Sequence, residues 1–122
     1  MNPQEVLKKY ELALASQDWD SVEPLMHQDV CVTFSNGTFK GISEVKAVFE
    51  RNFVSIQDEE YEISNLHWAH ISEEKAVCLY DFSWKGIIDG EICSGGGRGT
   101  SVLISENEQW KIVTEHLGPY AS

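Results

Sequence analysis

Positive charge is what this chain has least of. Nine Lys and Arg stand against 20 Asp and Glu, a formal net charge of -11. A surface that negative repels phosphate backbones, and no basic patch interrupts it, so nucleic acid is not an expected partner. Long apolar runs are also missing. None approaches the roughly 18 residues of a membrane span, and the N-terminus lacks the charged-then-apolar order of a signal peptide. The expectation is a cytoplasmic protein with no membrane contact. Cys31, Cys78 and Cys93 are odd in number and have no metal-ligand spacing, which favours buried reduced thiols over a disulfide frame or a metal site. Phosphate-binding motifs are lacking too. Gly95-Gly96-Gly97 leads into a strand pattern rather than a helix, so it reads as a bulged or flexible strand entry, and no cofactor is expected.

What is present fits one folded domain over residues 1–122. At 42% hydrophobic residues, with four Trp, four Tyr and five Phe, the chain can bury a core. Asn2-Pro3-Gln4-Glu5 is a helix start: Asn2 caps, Pro3 suits the first helical position, and Glu5 completes a capping box. Val6, Leu7, Tyr10, Ala13 and Leu14 follow at helical spacing. A short second helix from Asp18 or Asp20 places Trp19, Val22, Leu25 and Met26 on one face, with Pro24 tolerable near its first turn. Residues 30–34 read as a strand, Asn36-Gly37 as a turn, and Phe39-Lys40 as a short return strand. After Gly41 a third helix is expected, capped by Ser43, with Val45, Val48, Phe49 and Phe53 facing inward.

The period then changes from 3.6 to 2. Residues 61–71, 75–85, 98–105 and 110–117 read as four consecutive strands, with 86–97 a longer connection that turns at Asp89-Gly90. Helices followed by a run of antiparallel strands make an α+β arrangement, a curved antiparallel sheet with helices on one face. Strand 75–85 carries Ala76, Cys78, Tyr80, Phe82 and Trp84 opposite Val77 and Leu79, so both faces are apolar. Burial of both faces, one by helices and one by a second subunit, predicts a homodimer.

Functional residues are sought on the last strand. With strict alternation, Trp110, Ile112, Thr114 and His116 share one face, and Lys111, Val113, Glu115 and Leu117 the other. The first set runs from large apolar groups to a hydroxyl and an imidazole, as expected of a strand leaving a core and entering a pocket. Arg98, Thr100, Val102 and Ile104 show the same drift in reverse, and the turn at 105–109 pairs the two strands. Arg98 and Thr100 should therefore approach Thr114 and His116. His116 is the candidate acid or base, because imidazole titrates near neutrality. Arg98 is placed to hold a carboxylate bidentately or to pair with one of the chain's own acids. Tyr10 is either a core residue with a satisfied hydroxyl or a ligand contact. Trp84, with Tyr80 and Phe82, lines either an apolar cavity or the subunit interface. His67 and His70, three apart on a strand, should point to opposite faces and so not share a metal without a bulge; His27 reads as a solvated loop residue.

The opening from Tyr10 to Phe34, the Phe39-Lys40-Gly41 entry to the third helix, Arg98-Gly99-Thr100, and the ending from Trp110 to Leu117 resemble the SnoaL-like family of the nuclear transport factor 2-like superfamily. That resemblance implies a strongly bent antiparallel sheet forming a cone (the cystatin-like α+β barrel), three helices closing it, a pocket at the open end, and dimers through the sheet. The fold hosts isomerases, dehydratases, hydrolases, cyclases and binding modules. Ketosteroid-isomerase-like members use a tyrosine on the first helix, where Tyr10 stands, but their aspartate base would fall near Phe34 and their second acid near Val102. The expectation is therefore no ketosteroid isomerase activity. The similar Trp-to-His ending of the association domain of calmodulin-dependent kinase II favours binding or assembly instead. Two functions stay open: a pocket for a small hydrophobic, carboxylate or carbonyl ligand, with Tyr10, Trp84, Arg98, Thr100 and Thr114 as contacts; or a cofactor-independent acid–base enzyme using His116.

Overall fold

The opening helix begins where its caps place it. The Asn2 side chain accepts the Glu5 amide at 2.8 Å and Pro3 takes the first turn, giving α1 over Pro3–Ser16. Its end is fixed by Gln17 in the left-handed region, with φ at 56°. The Gln17 amide donates to the Ile56 carbonyl at 2.6 Å, tying the end of this helix to the end of a later one. The structure, a computed structural model, describes residues 1–120.

Next come α2 over Trp19–Val22 and a 3₁₀ turn over Glu23–Leu25, which accommodates Pro24. Trp19, Val22, Leu25 and Met26 are all buried, as their spacing predicts. β1 spans Met26–Phe34 and β2 Gly37–Lys40, joined at Asn36-Gly37. The third helix, α3, spans Ile42–Ser55, and its cap differs from the expected one. Gly41 holds the cap position with φ at 85°, a conformation glycine adopts without strain, so Ser43 falls inside the first turn. The Glu44 carboxylate accepts the Lys40 amide at 2.9 Å across this entry.

Four long strands follow: β3 over Gln57–Ile71, β4 over Lys75–Ile88, β5 over Glu91–Glu106 and β6 over Gln109–Pro119. The expected connection at 86–97 is strand almost throughout. Pairing continues to Ile88 with Glu91, and Asp89-Gly90, both at positive φ, makes the two-residue turn. The six strands lie in the order β2-β1-β6-β5-β4-β3. All neighbours are antiparallel except β1 and β6, which run parallel. The expected curved antiparallel sheet is present, with one parallel seam where the last strand of the meander returns beside the first and in its direction.

The helices cover one face of the curved sheet. Val6, Leu7, Tyr10, Ala13 and Leu14 of α1 and Val45, Val48 and Phe49 of α3 share one core with Val30, Val32, Ile63, Ala76, Cys78, Tyr80, Leu103 and Ile112 of the sheet. Glu11 is buried on α1 and accepts the Ile63 amide at 2.6 Å, fastening the helix to β3. The other face presents Val77, Leu79, Val102 and Ile104. Two histidine placements differ from those expected. A register shift between Trp68 and His70 sets His67 opposite Leu79 and His70 opposite Val77, so both align with outward residues rather than on opposite faces. His27 sits in β1, its Nε2 2.6 Å from a Glu106 carboxylate oxygen, and is largely covered rather than a solvated loop residue.

Candidate functional site

The decisive local feature is a bulge in β6. Leu103 pairs with Ile112, but its neighbour Val102 pairs with Thr114, so Val113 has no counterpart on β5. One extra residue reverses the side-chain phase of everything after it. Ile112 faces the core as expected, but Thr114 and His116 then point away from the helices while Glu115 points toward them. Glu115 is completely buried. Strict alternation along 110–117 was the wrong rule for this strand, and the expected inner face is corrected accordingly.

The Glu115 carboxylate is held by hydroxyls from two elements. Tyr10 of α1 donates to one oxygen at 2.8 Å, and Ser101 of β5 donates to the other at 3.2 Å. The Ser101 and Tyr80 hydroxyls are 2.8 Å apart, extending the chain onto β4. Glycine makes room for it. A Cβ at Gly99 would lie 2.4 Å from the Tyr80 ring, and one at Gly95 would lie 2.7 Å from the Trp84 indole. Both rings rest on bare backbone.

Beside this network lies a cavity of about 410 Å³. Its walls are aromatic: Phe34, Phe49, Phe53, Tyr61, Phe82 and Trp84, with Tyr10 and Glu115 also lining it. Tyr61 and Phe82 stack with ring centroids 6.4 Å apart. The exposed residues Ser35 and Asn52 stand at its rim. The charged side chains lining it are Glu115 and Glu59; no Lys, Arg or His among the described residues does so.

Burial sets the electrostatics. It pushes the Glu115 carboxyl up to about 7, against the opposing pull of hydrogen bonds from Tyr10, Ser101 and Tyr80. Glu59, half-buried, is likewise pushed up to about 7 by burial, opposed by its hydrogen bond from Gln17. Tyr10 and Tyr61 are held neutral well above the usual tyrosine range, by burial first and the Glu115 charge second. The Tyr61 hydroxyl is buried and has no hydrogen-bond partner among the described residues.

Of the residues expected to form a site, Tyr10 and Trp84 line this cavity. Arg98, Thr100, Thr114 and His116 lie on the paired strands β5 and β6, with Thr100 opposite His116 in the register, but on the outer face. Arg98 lies over the Tyr120 ring, 5.1 Å from its centroid, and is among none of the ion pairs of the described residues. Phe34 lines the cavity, and Val102 points outward. The premise that the pocket lacks an acid is corrected, because Glu115 and Glu59 supply two. Glu59 falls in the entry to β3, outside the expected strand. Glu115 lay in plain view, but only its pairing partner reveals the bulge that turns it inward. No group of His, Cys, Asp and Glu suited to a metal ion occurs among the described residues.

The sequence profile of the SnoaL-like domain matches residues 4–122. The chain belongs to the SnoaL-like domain family. No curated protein matches it in sequence. Solved structures place the SnoaL-like chain among nuclear transport factor 2-like and cystatin-like folds. A nuclear transport factor 2-like superfamily protein from Salmonella enterica serovar Typhimurium superposes with a TM-score of 0.88 at 17% identity, over 97% of this chain and 88% of that one. A protein of unknown function with a cystatin-like fold from Nostoc punctiforme gives 0.82 at 14% identity, over 98% and 89%. One from Caulobacter vibrioides, also cystatin-like, gives 0.83 at 14%, over 97% and 87%. At these identities the likeness is one of fold.

Proposed function

We propose that this SnoaL-like protein is a dimeric pocket protein that holds a small, mainly apolar ligand in the aromatic cavity, with Glu115 and Tyr10 orienting the ligand's polar group. The observation carrying this reading is the buried Tyr10–Glu115–Ser101 network set into an otherwise aromatic wall. A concave apolar site with a few convergent polar groups is the usual form of a small-molecule pocket. Arg98, Thr100, Thr114 and His116, on the outer face, have no place in it. Carboxylate ligands fit poorly, since no basic side chain among the described residues lines the cavity and two carboxyls do. The test is a fragment screen read by the Trp84 indole N–H resonance. Small aromatic compounds should shift it, and Trp84→Ala or Phe82→Ala should weaken their binding; a screen that never moves this resonance contradicts the reading.

Acid–base catalysis is a second reading, favoured by one observation: burial holds Glu115 near neutrality, where a carboxyl can both give and take a proton. In that case Glu115 takes the role first sought in His116, in cofactor-independent isomerase or lyase chemistry distinct from that of ketosteroid isomerase. The second subunit of the proposed dimer covers the outer sheet face, where Val77, Leu79, Val102 and Ile104 are apolar and at least partly accessible. Three free cysteines suit the reducing cytoplasm.

A further inference from the structure

The cavity's chemistry is one-sided, and this narrows what it can hold. Two carboxyl groups line it without a basic side chain among the described residues. Seven aromatic side chains line it as well, and ring faces attract positive charge. The Tyr61 hydroxyl, buried near Glu115 and Glu59, lacks a partner among the described residues, and an unmet polar group at that depth calls for one from outside. A net charge of -11 favours the approach of cations and disfavours anions.

We propose that the cavity selects a hydrophobic amine, its ammonium group meeting Glu115 and Glu59 and its apolar body lying against Phe34, Phe49, Phe82 and Trp84. Resting on the pocket reading above, this names the ligand class of that same site. An ammonium brings several N–H donors and no acceptor, which suits two carboxylates and the Tyr61 oxygen. It also restores the charge balance that burial disturbs, so both carboxyls ionise when it binds. A neutral alcohol of the same shape leaves them unpaired, and a carboxylate adds a third negative group.

Three probes of one shape separate these cases: 4-phenylbutylamine, 4-phenylbutanol and 4-phenylbutyrate, each titrated into the protein at pH 7.5 and followed by the Trp84 indole resonance. The amine should bind at least about tenfold tighter than the alcohol, and the carboxylate weakest, the size expected of charge-assisted contacts. Glu59→Gln, at the less buried position, should remove several-fold of the amine's advantage over the alcohol. Glu115→Gln should reduce that advantage as well, its amide oxygen still able to accept from Tyr10. Amine affinity should rise between pH 6 and 8. The groups around it are Tyr10 and Glu11 on α1, Glu59 and Tyr61 on β3, Tyr80 on β4 and Glu115 on β6, of which Glu59 and Glu115 are the two that burial moves into this range. An alcohol or carboxylate binding as tightly as the amine overturns the amine proposal while keeping the pocket. Failure of all three to move the resonance overturns the pocket as well.

Discussion

A carboxyl buried between tyrosine and serine hydroxyls keeps its proton longer than one in water, and Glu115 makes that visible in stability. Its ordinary value of 4.5 rises to about 7 in the fold. Between those values the folded chain holds more protons than the unfolded one, so this group's contribution is largest below about 4.5, declines as pH rises toward 7, and is level above. Glu115→Gln should therefore gain thermal stability relative to the native chain between pH 5 and pH 8. Parallel melting curves at both pH values would mean that Glu115 titrates alike in both states. The outer-face residues carry the opposite expectation. His116→Ala and Arg98→Ala should change stability by less than about 0.5 kcal/mol and leave ligand affinity in the cavity untouched, because neither side chain reaches it. A tenfold loss of affinity in either variant would place the site on the wrong face.

At the level of strands and helices, local chemistry and the hairpin pairing were readable and the irregularity within the pairing was not. Asn2 and Pro3 set the start of α1, and Asp89-Gly90 marks its hairpin, because these residues act on their own backbone. The inward face of β4, with Ala76, Cys78 and Tyr80 buried, follows its alternation directly. The bulge at Val113 belongs to two strands at once, and nothing within 110–117 announces it. The candidate site went astray at that one residue. A partial signal existed across the sheet, where Gly95, Gly97, Gly99 and Ser101 line one face of β5 with little or no side chain and so leave space for large neighbours. Gly99→Ala tests this. Its methyl would meet the terminal methyl of Leu117, which can move aside, and the Tyr80 ring, whose hydroxyl is tied to Ser101. A loss of about 1–3 kcal/mol should appear as a lower urea midpoint; an unchanged midpoint would mean that the Tyr80 ring is loosely held.

The whole molecule is a curved sheet with a helix-covered, aromatic-lined cavity on one side and, on the other, an outer face where Val77, Leu79, Val102 and Ile104 form an apolar patch beside polar residues. That second face predicts association. Light scattering at micromolar concentration should give twice the 13.8 kDa chain mass, and Leu79→Lys, at a side chain 41% exposed, should return it to monomer. A native monomer would remove the dimer. The cavity, its ligand and the bulge all depend on Glu115 lying inside. Its side-chain carboxyl carbon, followed by NMR from pH 4 to 9 and assigned by comparison with Glu115→Gln, measures that directly. The predicted result is a single titration near 7, displaced downward when 4-phenylbutylamine is added. A midpoint near 4.5, unmoved by the amine, would put the carboxyl in water and contradict the cavity, its ligand and the bulge that builds them.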